Sequence, residues 1–158
     1  MTKKKDISSR SLDSSFYHYW FTGINRFLEI SDDDTVDALL QECARSCSDS
    51  YSREVFQAAF SGDRALPEAL EEMHRKFTDF SYSLFDDHIE IRYAKCGCDL
   101  VNEGFISSRK LYHCSELSLW DNLTSVGTEL EKIVLKESIL AGDARCSFEV
   151  YYKKKAGI

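Results

Sequence analysis

One proline and seven glycines in 158 residues exclude collagen-like and linker-rich sequences. No window approaches the roughly 18 consecutive apolar residues that a membrane helix needs. The aromatic stretch from Phe16 to Phe21 is interrupted by Tyr17, His18 and Tyr19, and no apolar run follows the basic start, so no secretory leader is read there. The expected location is cytoplasmic. Basic charge is in deficit, with 20 Lys and Arg against 27 Asp and Glu and a net charge of -7. That balance disfavours nucleic acid and anionic membrane as main partners. The two basic clusters, Lys3-Lys4-Lys5 and Lys153-Lys154-Lys155, are read as solvated ends, with residues 1–13 and 153–158 flexible. H-E-x-x-H, G-x-S-x-G, a glycine-rich phosphate loop and an EF-hand run are all missing, which argues against zinc peptidases, serine hydrolases and nucleotide enzymes.

What the chain does have is apolar and aromatic substance. It is 43% hydrophobic and contains ten Phe, eight Tyr and two Trp, a composition foreign to disordered chains. A chain of this length forms one domain, residues 1–158, and buries about 70% of its unfolded surface. The core therefore needs neither disulfide nor metal, yet six cysteines are present: Cys43, Cys47, Cys96, Cys98, Cys114 and Cys146. In the cytosol they are read as thiols or ligands rather than bridges, and small buried hydrophobes remain an open alternative.

The first half reads as helical. Ser14 and Ser15 cap a helix with Phe16, Trp20, Ile24, Phe27 and Leu28 at helical spacing. After Ser31-Asp-Asp-Asp, a second helix carries Val36, Leu39, Leu40, Cys43 and Cys47, which places both thiols on its buried face. A third, with Val55, Phe56, Ala59 and Phe60, ends near Gly62. A fourth, opened by Pro67, carries Leu70, Met73 and Phe77. The period then falls to two. Ile89, Ile91 and Tyr93 face one way while His88, Glu90 and Arg92 face the other, so residues 80–93 form a hairpin turning at Asp86-Asp87. Leu117, Trp120, Leu123 and Val126 mark another helix, stopped by Gly127. Residues 129–135 and 146–152 form a last hairpin through Gly142-Asp143. The expected fold class is α+β, with N-terminal helices packed on an antiparallel sheet of about four strands, in the order helices-β-β-α-β-β.

Cys96-Gly-Cys98 is the sharpest local feature, because the glycine lets two sulfurs turn to one centre. Cys43 with Cys47 and His113 with Cys114 form two further clusters. Together they offer enough soft donors for a divalent metal, which takes about four. The competing use is nucleophilic: a reactive thiol needs a base or a positive field, and Arg45 and His113 are near in sequence. His18, His74 and His88 are read as structural. Glu71, Glu72, Asp32 to Asp34 and Asp86-Asp87 are read as solvated.

Four segments carry a resemblance: Cys43-Ala-Arg-Ser-Cys47, Tyr93-Ala-Lys-Cys96-Gly-Cys98-Asp-Leu-Val, Cys114-Ser115, and the ending Glu137-Ser-Ile-Leu-Ala-Gly-Asp-Ala-Arg-Cys146-Ser-Phe. Over Val36 to Tyr152 the chain resembles bacterial cytosolic proteins akin to the L-2-amino-thiazoline-4-carboxylic acid hydrolase-like family and the 4-vinyl reductase small-molecule-binding domain. The resemblance implies an α+β fold with a pocket between helices and sheet, and a clustering of Cys43, Cys47, Cys96, Cys98 and Cys114, because related domains hold zinc through Cys and His. Two departures stand out. Tyr112-His113-Cys114 takes the place of a Cys-x-Cys, and Ala44 follows Cys43 where the family has Gly. His113 would then stand in for the missing thiol.

Three readings follow. The first is a small-molecule-binding domain with a Cys-rich zinc site on Cys47, Cys96, Cys98 and Cys114, with Cys43 and His113 in reserve; an iron–sulfur cluster is the lesser cofactor alternative. The second is a thiol- or metal-dependent hydrolase of a small cyclic amide-like substrate. The third is a structural protein with buried free thiols. The expected partners are a small-molecule ligand and a second copy of the chain in a homodimer.

Overall fold

The computed structural model describes residues 14–62 and 64–153. The triple-lysine start, the last two lysines of the second cluster and the two ends expected to be flexible (Lys153 apart) lie outside these residues. Six α-helices and four strands follow one another as α1 (Ser14–Ile30), α2 (Asp33–Cys47), α3 (Arg53–Ala59), α4 (Leu66–Lys76), β1 (Phe80–Leu84), β2 (Ile89–Tyr93), α5 (Asp99–Asn102), α6 (Tyr112–Ser125), β3 (Leu130–Glu137) and β4 (Cys146–Tyr152). The α+β class and the order of helices, hairpin, helix, hairpin are as the sequence pattern predicts.

The strands form one antiparallel sheet in the order β1-β2-β4-β3. Ile89 faces Val150, Ile91 faces Phe148 and Tyr93 faces Cys146 across the central pair. These residues share the inner face with Phe80 and Ile133. They pack against Phe56 and Ala59 of α3, Leu66, Ala69, Leu70 and Met73 of α4, and Leu119 and Leu123 of α6. The opposite face is polar, as the alternation requires. Glu90 and Glu149 are register partners there, a like-charge pairing that costs stability. Each has its own counter-charge: Arg92 Nη1 donates to Glu90 Oε2 at 2.6 Å, and Lys136 Nζ lies 3.3 Å from Glu149 Oε1.

Local chemistry explains most boundaries. Asp32 caps α2 by accepting from the Thr35 amide at 2.8 Å, and Asp33 and Asp34 occupy the first turn, where the helix dipole favours acids. Pro67 sits in the first turn of α4. Gly127, at φ +80°, ends α6 in a left-handed conformation that side chains resist. α1 starts at Ser14, so Ser14 and Ser15 are its first residues rather than a cap preceding it.

Four features depart from the expected pattern. The second and third helices are joined without a loop: a π-helical turn over Ser48–Ser52 carries α2 into α3. The buried stripe of α2 runs through Val36, Leu40 and Ala44 and on to Ser48, at i+4 steps. Cys43 and Cys47 lie one position to its side and are exposed, not on the buried face. α6 begins at Tyr112, so His113 and Cys114 are in its first turn. Finally, α1 turns only part of its apolar content inward, with Phe16 50%, Trp20 58% and Phe27 42% exposed.

α1 and α2 make a second, smaller core of Leu28, Val36 and Leu40, joined by Ile24, Leu39, Leu111, Cys114 and Leu117. α1 is pinned from the other side by Asn25. Its Nδ2 donates to the Phe105 carbonyl at 2.9 Å, and its Oδ1 accepts from the Ser107 and Ser108 amides at 3.0 and 3.2 Å. The Phe105 ring fills the space against His18 and Phe21.

Candidate ligand cavity

Two cores separated by a partly covered seam leave space between them. That space is a cavity of about 580 Å³, within the roughly 300–1,000 Å³ of small-molecule sites. Trp20, Phe21, Ile24 and Leu28 of α1 form one wall, and Leu39, Leu40, Cys43 and Cys47 of α2 form the next. Tyr51 of the π turn, the loop from Lys95 to Val101, α6 from Cys114 to Leu119, and Tyr93, Cys146 and Phe148 of the sheet complete it. The π turn matters to this geometry. An extra residue per turn rotates the helix relative to its continuation, and the turn brings Ser50, Tyr51 and Ser52 to the cavity together with Cys47. Ser50 Oγ caps the Cys47 carbonyl at 2.6 Å. Ser48 Oγ and Ser118 Oγ share a hydrogen bond at 3.2 Å, and Asn122 Nδ2 donates to Ser52 Oγ at 3.1 Å, so the turn is tied to α6 by paired polar groups.

All six cysteines line this one cavity. Cys98 is near enough to Cys43, Cys47, Cys96 and Cys114 to act on their ionisation. The five cysteines that the resemblance groups share this cavity wall. Cys146, expected as plain strand core, is buried and also reaches the cavity wall. Burial pushes the Cys43, Cys47, Cys96 and Cys146 thiols up from the ordinary range. Cys114 goes furthest, to about 12, through burial first and then the neighbouring thiols. Asp99 adds to the rise at Cys47. An activated nucleophile requires the opposite shift, so these sulfurs form a neutral, polarisable wall.

His113 does not line the cavity. Its Nδ1 lies 3.3 Å from Glu116 Oε2, beside a separate depression of about 240 Å³ bounded by Asp33, Val36, Asp37, Lys110 and Tyr112. Burial raises the Glu116 carboxyl, His113 lowers it and Asp37 raises it again. The expected zinc site requires correction, and so does its iron–sulfur alternative. Among the described residues no group of three or more His, Cys, Asp or Glu side chains is arranged to hold a metal ion. The thiols line a ligand-sized space without forming such a group, and the His offered in reserve pairs with Glu116 instead.

The other expected assignments are placed as follows. His74 Nδ1 bonds the Phe80 carbonyl at 2.9 Å, His88 stacks between Phe85 and Tyr151, and His18 packs on Phe105; all three serve structure. Glu72 pairs with Arg75 and Lys76, and Glu71 accepts from the Tyr82 hydroxyl at 2.6 Å. No helix among the described residues is long and apolar enough to cross a membrane.

Sequence reasoning expected an aromatic-lined pocket between helices and sheet without naming the aromatic residues that line it. Tyr93 was visible only as an inward strand residue, and Tyr51 as nothing in particular. One usable signal was present: Tyr93 is the last inward residue before Cys96-Gly-Cys98, so the strand that points it inward also delivers the thiol loop to the same end of the sheet.

No protein-family model matches the sequence, and no curated protein matches it. Solved structures similar in fold include an H-NOX protein from S. oneidensis, a variant in the Fe(II) ligation state, at 14% identity and TM-score 0.45, over 98% of this chain and 81% of that one. The NMR structure of an H-NOX domain from Shewanella oneidensis in the Fe(II)CO state gives 13% identity and TM-score 0.47, over 94% and 80%. An H-NOX protein from S. oneidensis in the Fe(II)NO state gives 14% and 0.44, over 98% and 83%. All three are described with iron.

Proposed function

We propose that this chain is a small-molecule-binding domain whose ligand occupies the space between the α1–α2 core and the sheet. The observation that carries the reading is the cavity: about 580 Å³, walled by aromatic, aliphatic and neutral thiol side chains. Burying an apolar ligand there removes apolar surface from water on both sides, which is the main source of affinity for such sites. The proposed role agrees with the resemblance to 4-vinyl reductase-like binding domains. The cysteines act in it as a soft lining; the raised ionisation of five of them gives a thiol-based hydrolase no support.

The test uses N-phenylnaphthylamine, a neutral fluorophore that brightens in apolar surroundings. Trp20 lines the cavity, so a Trp120→Phe variant leaves it as sole tryptophan donor. Saturable brightening with energy transfer from Trp20 is expected. It should be lost in Ser115→Phe, which places a ring inside the wall. Brightening that is indifferent to Ser115→Phe would locate the dye elsewhere and defeat the proposal.

A further inference from the structure

The sheet side of the cavity wall carries a polar group whose hydrogen-bonding capacity no described residue uses. Tyr93 closes β2 opposite Cys146. Its ring is held edge-on by Phe80, centroids 5.5 Å apart, and by Phe148 at 6.1 Å. Its hydroxyl takes no hydrogen bond from any described residue, in contrast to Tyr82 and Tyr151, which donate to Glu71 and Glu149. Among the described residues every fully enclosed polar side-chain atom has a partner, so the unpaired hydroxyl is open to a group the size of water. Yet burial drives its ionisation well above the ordinary phenol range, and Tyr51 and Cys146 push the same way. Tyr93 lines the cavity, the space its side chain borders.

We infer that Tyr93 is the polar anchor of the ligand, and that the ligand class is an uncharged, largely apolar molecule presenting a hydrogen-bond-accepting oxygen, such as a carbonyl, to this hydroxyl. This rests on the cavity being the binding site. Two features set the class. A donor in an apolar cavity rewards one acceptor and penalises a ligand that leaves it dry and unpaired. The suppressed ionisation of Tyr93 and of the surrounding thiols shows that the same space disfavours charge of its own, and a ligand anion meets the same desolvation cost. Of the charged side chains on the wall, Lys95 pairs with Asp79 at 3.6 Å, and Asp99 lies in the first turn of α5. Neither supplies a buried counter-charge next to Tyr93. Tyr51 is 61% exposed, lines the same cavity and is near enough to Tyr93 to oppose its ionisation.

Three probes of similar size separate the possibilities by displacing N-phenylnaphthylamine: acetonaphthone, with a carbonyl; isopropylnaphthalene, with none; and naphthoate, an anion. The ratio of acetonaphthone to isopropylnaphthalene affinity is expected to fall by roughly five- to tenfold in Tyr93→Phe, the factor one neutral hydrogen bond supplies. Naphthoate is expected to compete poorly with either protein. The carbonyl stretch of bound acetonaphthone should shift to higher frequency in Tyr93→Phe, a change that altered packing alone would not produce. N-phenylnaphthylamine binding retained in Tyr93→Phe, with the ratio and the stretch unchanged, would overturn the anchor and leave the binding site standing. Absence of dye binding to the unaltered protein would overturn both. If Tyr93→Phe unfolds, Tyr93→Met carries the same comparison, since the ratio cancels general losses of affinity.

Discussion

Cys114 shows how one half-buried group couples this protein to pH. Its thiol is held to about 12, mainly by burial, against an ordinary value near 9 in the unfolded chain. The native state therefore keeps a proton that the unfolded state releases. Stability from this group is fully present below about pH 9 and is lost as pH rises from there to about 12. One suppressed ionisation contributes a slope of about 1.4 kcal/mol per pH unit. Urea midpoints measured from pH 8 to pH 11 should fall, and Cys114→Ala should flatten the decline. If the variant and the original protein lose stability in parallel, the thiol is more solvated than its position on α6 indicates. At neutral pH the same variant loses only packing, because a neutral thiol behaves as a small hydrophobe.

At the scale of elements, α1 is the least supported part of the cavity wall. Its inward residues Ile24 and Leu28 join the small core, and most of its hydrogen bonds to the 105–108 loop come from Asn25, which makes three there beside the one Glu29 accepts from Ser108 Oγ. Asn25→Leu keeps the volume and removes all three. It should cost about 1–3 kcal/mol locally, seen as faster amide exchange in α1 with the sheet unchanged, and as faster release of a bound dye. Exchange that rises equally in β2 and β4 would show that α1 is not a separable lid. These elements were legible in the sequence to different degrees, for physical reasons. Strand alternation at Ile89, Ile91 and Tyr93 identified the sheet face because side-chain period two leaves no ambiguity. Gly127 and Pro67 marked helix ends because their backbones permit little else. The π turn at Ser48–Ser52 left no trace, since it preserves helical dihedrals and inserts no breaker, and its offset is what turns Tyr51 towards the cavity. The gathering of the cysteines was implied by the family resemblance; its meaning was not legible in the sequence. Six donors in a chain suggest a metal, whereas whether they converge or line a void depends on tertiary placement. His113 illustrates this, adjacent to Cys114 in sequence yet turned by one helical position towards Glu116.

The described residues form two cores of unequal size with a void between them, and a ligand filling that void is expected to raise the stability of the fold. The sheet core carries fifteen buried residues and the α1–α2 core three, so the smaller core gains most of its order from its neighbours. A ligand that touches Leu28 and Leu40 on one side and Phe148 on the other bridges the two. By mass action, binding only the folded state at a hundredfold excess over Kd adds about 2.7 kcal/mol. For a domain of this length that corresponds to a rise in Tm of roughly 5–10 °C. Leu40→Ala sharpens the expectation. Leu40 is 1% exposed, belongs to the small core and faces the cavity, so its truncation should destabilise by about 2–5 kcal/mol while enlarging the space. Part of that loss should be recovered by a bulkier neutral ligand than the unaltered protein prefers. Calorimetry with N-phenylnaphthylamine and a larger neutral homologue measures both effects. Equal stabilisation of the two proteins by the two dyes would mean that ligand and side chain do not share the void, and that the cores are joined by something other than its contents.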